Sequence, residues 1–262
     1  MTRRSFFCEH LSGTVRNVTL EGSVAHHITN VLRLQRGHHV ELRDGKGTAY
    51  LGRIEAVGRG RVEVSIISSL HPDTEPILPV TLAVAYARGD KMDLVLRQGV
   101  ELGISRFIAF PSQRSQYKLS LRQEQRRKQR WLKICQDAIC QCGRTCLPEV
   151  SLFSSLEEIL ELARAWEDGD RPVLKIAAIE RCDGNALRDL AIRWPNPEEI
   201  VAVVGCEGGW SEEEITSLEK AGFQLIGLGP RVLRLETASV ALLAAIQVLW
   251  GDMGGYNKRS VA

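Results

Sequence analysis

Two short stretches hold the side chains best placed to do chemistry. Residues 201–215 read VAVVGCEGGWSEEEI, an apolar run that enters a glycine cluster and leaves through glutamates. Residues 225–247 read LIGLGPRVLRLETASVALLAAIQ, where Gly227, Gly229 and Pro230 precede Arg231, Arg234 and Glu236. Each has the pattern of a strand, a tight loop and a helix. Neither is a phosphate loop, because GCEGGWS lacks the G-x₄-G-K-[ST] pattern and no G-x-G-x-x-G is present. A dinucleotide loop also brings pyrophosphate to a helix N-terminus, and Glu207 inside the loop repels it. An acidic loop tolerates a cation, or a neutral base and ribose. Ser211 to Glu214 matches a helix capping box, so the glutamate run after the loop has a structural role. Glu207 lies outside that helix. Two arginines and a glutamate beside a glycine loop read either as a ligand site or as a surface ion-pair cluster.

Other chemistries are narrowed by what is missing. All six histidines (His10, His26, His27, His38, His39 and His71) fall in the first 71 residues. The remainder can therefore hold neither a Ser-His-Asp triad nor a His-ligated metal. Cys135, Cys140, Cys142 and Cys146 cluster within twelve residues. On a straight helix Cys135, Cys142 and Cys146 would lie within about 40° of one another. No C-x₂-C hook accompanies them, and Gly143 interrupts the helix, so they read as buried thiols without metal.

The elements that must position these residues change character along the chain. Residues 1–70 read as short β-strands, with the turn signal DGKG at Asp44–Gly47, and suggest a small barrel. Residues 71–79 hold three prolines with Pro76 among them and read as a linker. Residues 80–262 alternate apolar strands with helices, which indicates an α/β fold with a mostly parallel sheet covered on both faces. A helix is expected over 91–103 with Gly103 as its stop, another over 124–142, and a last one starting near Thr237 or Ser239. That last helix is apolar nearly all round, which calls for burial on every side, in a core or between subunits.

The composition is that of a soluble globular protein, at 44% hydrophobic and 25% charged residues in a chain of 262. No stretch resembles a signal peptide or a membrane span, and seven cysteines without a secretory leader suggest reduced thiols in a cytoplasm. Net charge is only +2, but it is unevenly spread. Residues 114–133 carry eight Lys/Arg against one acid, and residues 1–61 ten against five. Such regions suit either a solvated surface or a polyanion, and the basic N-terminal part favours nucleic acid.

With these motifs in order, the sequence resembles the SPOUT (trefoil-knot) methyltransferases, and more narrowly the bacterial 16S rRNA (uracil-N3)-methyltransferases. The resemblance runs through RRSFF, HHITNVLRLQRGHHVELRDGKG, KMDLVLRQGVELG, PSQRS, QCGRTCLPEV and both glycine loops. It implies a PUA-like RNA-binding barrel, a knotted C-terminal domain, S-adenosyl-L-methionine as methyl donor, 16S rRNA of the small ribosomal subunit as substrate, and a homodimer without metal. The donor site it implies comprises Val204, Gly205, Glu207, Gly208 and Gly209, then Leu228, Gly229, Val232 and Leu233, with Arg234, Thr237 and Ala238 closing it. Arg234 is the candidate for stabilising charge on the uracil oxygens, and Glu236 for orienting Arg234 or taking the N3 proton. RNA contacts are expected from Arg3, Arg4, His27 and Arg33, and from Lys91, Arg114 and Arg144. Three positions depart from the family pattern: Cys206 replaces proline, Gln98 a lysine and Cys140 a glutamate. These leave two alternatives open, a SPOUT enzyme for another RNA such as tRNA, and a catalytically silent RNA-binding assembly factor.

Overall fold

The β-rich N-terminal pattern becomes a five-stranded sheet in the computed structural model, which describes residues 4–9, 11, 15–115, 121–165, 172–180 and 186–255. Its strands are β1 (Ser5–Phe7), β2 (Asn17–Glu21), β3 (His39–Arg43), β4 (Ala49–Gly58) and β5 (Arg61–Leu70), in the order β1-β3-β4-β5-β2. β1 runs parallel to β3 and the other pairings are antiparallel. Two register shifts on β4, at Leu51/Gly52 and Ile54/Ala56, bend the long β4–β5 ribbon. The expected DGKG turn links β3 to β4. Asp44 Oδ1 accepts the amides of Lys46 (2.7 Å) and Thr48 (3.1 Å), and Gly45 and Gly47 take positive φ.

This part is not purely β. Gly22–His26 forms helix α1, which continues as a π turn over His27–Val31. The run HITNV looks extended because it is β-branched, but burial decides otherwise. Ala25 and Ile28 are fully buried in the core with Phe6, Leu42, Ile54 and Val62.

Two compact units emerge, and the boundary between them is not a single point. Met1–Glu75 forms one unit together with Cys135–Leu147, and Pro76–Ile134 with Pro148–Ala262 forms the other. Within the first, Arg43 is 1% exposed and donates to the carbonyls of Gly143 (2.9 Å) and Arg144 (3.1 Å) and to Ser5 Oγ (2.7 Å). Glu75 accepts the amides of Thr145 (2.6 Å) and Cys146 (3.0 Å) and pairs with Arg144.

The second unit is built on six parallel strands, β6 (Val80–Ala85), β7 (Arg106–Phe110), β8 (Glu149–Leu152), β9 (Val173–Ile179), β10 (Glu199–Val204) and β11 (Gln224–Gly227). Their order is β11-β9-β10-β6-β7-β8. β6 is buried along its whole length, as its unbroken apolar sequence requires of a central parallel strand. The helices are α2 (Lys91–Glu101), α3 (Leu121–Cys142), α4 (Leu156–Ala165), α5 (Leu187–Arg193), α6 (Glu212–Lys220) and α7 (Leu235–Leu249). Gly103 and Gly143, both with positive φ, follow the ends of α2 and α3 as expected. α7 starts earlier than expected. Leu235 is buried, and the carbonyl of Arg234 already accepts the amide of Ala238 (2.8 Å), so the first turn is anchored there. Nor is α7 buried all round in the single chain, since Val248 and Leu249 are exposed.

Tyr86, just after β6, is buried, and its hydroxyl has no hydrogen-bond partner among the described residues. Burial pushes its phenol up to about 12, with Glu124 adding and Arg127 opposing. The folded chain thus keeps a proton that the unfolded chain releases near 10, so stability falls as pH rises through this window. Tyr86→Phe should gain about 1 kcal/mol at neutral pH, because no bond is lost and an unpaired hydroxyl leaves the interior. Its alkaline loss should also be shallower. Urea denaturation at pH 7 and pH 11 checks both, and a variant weaker than wild type at pH 7 would refute the assignment.

Candidate functional site

All six strands of the second sheet point the same way, so their carboxyl ends share one edge. Ligands of open α/β sheets bind in the crevice outside that edge. A cavity of about 600 Å³ lies there, walled by the ends of β9 and β10 and by the loop from β11 to α7.

Trp210 shapes this wall. Its indole N–H donates to the carbonyl of Ala178 (2.8 Å), and its ring stacks near Phe110 with centroids 6.2 Å apart. The ring fills the space beside Gly205, where a Cβ would stand 2.9 Å from Trp210 Cε2. Gly209 has φ of +70°, and its amide closes a turn onto the carbonyl of Cys206 (2.9 Å). The glycines are thus needed for close approach at 205 and for backbone geometry at 209.

Cys206 is buried. Its Sγ accepts a hydrogen bond from Ser112 Oγ (3.4 Å) and donates to the carbonyl of Gly209 (3.7 Å). The thiol therefore holds the loop by side-chain bonds that a proline could not make. Ser211 and Glu214 form the expected capping box of α6, with Ser211 Oγ accepting the Glu214 amide (3.0 Å) and Glu214 Oε2 accepting the Ser211 amide (2.9 Å).

The structure brings most of the expected donor-site residues together. Val204, Gly205, Glu207 and Gly209 line the cavity from one side, and Leu228, Val232, Leu233, Arg234 and Ala238 from the other. Gly208 and Gly229 are in the same loops and Thr237 is in the first turn of α7, but none of the three lines it. Gly208 packs against Arg114 instead, and Gly229 and Thr237 are exposed. Lys91, Ile179, Glu180 and Arg231 line the cavity without having been singled out as donor-site residues. Glu180 directly follows β9, on a quite different part of the chain, so no local pattern marks it. Lys91 forms an ion pair with Glu207, so Glu207 is not the free negative charge its loop suggests.

Arg234 is exposed at the N-cap of α7, in extended conformation. Glu236 lies in the first turn, outside the cavity lining. Its Oε2 is buried without a hydrogen-bond partner among the described residues, where no ion pair joins it to Arg234. Of the expected RNA contacts, Arg3 lies outside the described residues, while Arg4, His27, Arg33 and Arg114 are exposed. Among the described residues, Arg33 is also the one non-glycine residue with positive φ. Arg144 does not fit that role. It is 4% exposed and its guanidinium is engaged by Glu75, so it braces the 143–147 segment. Cys135 is fully buried, and burial pushes its thiol up to about 12. Cys146 is raised too, first by burial. Among the described residues no three His, Cys, Asp or Glu side chains stand together as a metal cluster.

Comparison with known proteins adds the family. A family model described as an RNA methyltransferase domain matches residues 73–247, and one described as an RNA methyltransferase PUA domain matches residues 20–67. The chain belongs to this RNA methyltransferase family. The order of domains agrees with the SPOUT resemblance and its PUA-like first domain. The ribosomal RNA small subunit methyltransferase E of Bacillus subtilis is 29% identical over 89% of this chain and 92% of its own. The crystal structure of a protein of that name from Neisseria gonorrhoeae, bound to S-adenosyl methionine, superposes with a TM-score of 0.83 at 33% identity. It covers 95% of this chain and 99% of that one. A Legionella pneumophila methyltransferase solved with bound SAM gives 0.86 at 28% identity, over 97% and 100% of the two chains.

The wedge at Trp210 sets a test of this methyltransferase. Gly205→Ala should cost about 2 kcal/mol by overpacking against a fixed ring. In a Trp210→Leu background the same change should cost distinctly less. Chemical denaturation of the four proteins measures the coupling, and strictly additive losses would show that the ring does not impose glycine here.

Proposed function

We propose that this RNA methyltransferase transfers the methyl group of S-adenosylmethionine to N3 of a uridine in 16S rRNA of the small ribosomal subunit. The observation that carries the reading is that both glycine loops leave the carboxyl ends of β10 and β11 and wall one cavity in a chain of this family.

The cavity suits the donor. Its volume is in the range of small-ligand sites, and Gly205 and Gly209 are part of its lining. Val204, Gly205, Glu207 and Gly209 would hold the donor on one side, with Gly208 behind them, and Leu228, Val232, Leu233 and Ala238 on the other, with Gly229 shaping the loop and Thr237 in the first turn of α7. When bound, S-adenosylmethionine supplies an electrophilic methyl group on a sulfonium. With Glu207 paired to Lys91, Glu180 is the better placed carboxylate to complement positive charge. Arg234, exposed at the rim, is assigned to the uracil oxygens, where negative charge grows as N3 loses its proton. Glu236 is assigned to proton removal or to orienting Arg234, and its buried, unpartnered oxygen supports a role completed by another molecule. Holding base and donor in line supplies much of the remaining acceleration.

Arg3, Arg4, His27, Arg33 and Arg114 are assigned to RNA, chiefly to phosphates, and Lys91 to the cavity mouth. We infer a homodimer, because Leu94, Val248, Leu249 and Met253 leave apolar surface exposed on the second unit, and a cytoplasmic location, in keeping with a ribosomal RNA substrate. We also infer that the 227–235 loop contributes to a trefoil knot, which the β11-β9-β10 strand order supports.

Labelled methyl transfer to small ribosomal subunits, followed by mass spectrometry of the nucleosides, tests the reading. The expected product is 3-methyluridine. Label in another nucleoside or in tRNA would redirect the substrate, and no transfer to any RNA would favour a silent binding factor. Arg234→Ala should lower kcat about 10²–10³-fold, with the fold unchanged by circular dichroism. Wild-type turnover in that variant would remove Arg234 from the mechanism.

A further inference from the structure

The loop after β7, residues 111–115, meets the glycine loop at several points. Ser112 Oγ donates to Cys206 Sγ (3.4 Å), and Arg114 donates to the carbonyl of Gly208 (3.2 Å). A Cβ on Gly208 would lie 3.1 Å from that of Arg114. The strongest link is a carboxylate. Glu214 is 3% exposed, and its two oxygens have separate tasks. Oε2 accepts the amide of Ser211 (2.9 Å) and completes the α6 cap, while Oε1 accepts the amide of Gln113 (2.8 Å) across the loops. Gln113 Nε2 also reaches Glu213 (3.1 Å). Capping alone needs only one of these oxygens, since glutamine also serves in a capping box.

We propose that Glu214 is a positioning residue for the donor site, fixing the 205–209 loop against the 111–115 loop through its second oxygen. A carboxylate has two acceptors, whereas a carboxamide has one acceptor oxygen and a donor group. Glu214→Gln therefore keeps either the cap or the link, but not both. The glycine loop then loses its brace beside Arg114, and the cavity wall loosens. The inference rests on the S-adenosylmethionine reading above.

The test is calorimetric titration of S-adenosylmethionine into wild type, Glu214→Gln, Glu214→Ala and Ser211→Ala, with melting temperatures recorded alongside. Ser211→Ala removes the capping hydroxyl but leaves the Gln113 link, so it should melt lower and bind within about twofold of wild type. Glu214→Gln should bind roughly tenfold more weakly, and its KM for the donor should rise more than its kcat falls. Equal affinity in Glu214→Gln and wild type would overturn the proposal, as would losses that merely track melting temperature across all variants. Wild type that binds no S-adenosylmethionine would instead overturn the reading on which the proposal stands. If Glu214→Ala fails to fold, the glutamine variant decides.

Discussion

The carboxyl edge of the parallel sheet depends on the wedge formed by Trp210. Its indole cannot move without breaking the bond to Ala178 and leaving the face of Phe110. That fixed ring excludes a side chain at position 205 and holds the end of β9 beside the end of β10. A tightly packed site transmits such a constraint because interiors have few voids to absorb displacement. The cavity wall is therefore set by core packing as much as by its own loop residues.

Charge at the same edge is balanced locally. Lys91, from the start of α2, pairs with Glu207, while Glu180, Arg231 and Arg234 all belong to the lining. The pair is partly exposed and contributes little to stability, so its effect is on the potential inside the cavity. Glu213 and Glu214 belong to the scaffold: one caps and links, the other receives the Gln113 side chain.

Local chemistry was legible in the sequence. The DGKG turn, the Ser211–Glu214 cap and the glycine stops after α2 and α3 each follow from nearby residues. So do the two loops that meet at the cavity, because each follows an apolar strand. What could not be read depends on distant partners. Burial of Ala25 and Ile28 turns a β-branched run into α1 and its π continuation. Arg144 looks like a surface cation until Glu75 is placed against it. Glu180 enters the site only because β9 lies beside β10 in space.

The return of Cys135–Leu147 to the first unit has a consequence for synthesis. Arg43 finds its partners in a segment made 100 residues later, and Glu75 in the same segment 70 residues later. A chain emerging from the ribosome in order cannot complete its first unit until that segment is free. Cutting the protein at its proline-rich stretch would likewise not release a self-sufficient module, since the buried guanidinium of Arg43 would lose two of its carbonyl acceptors.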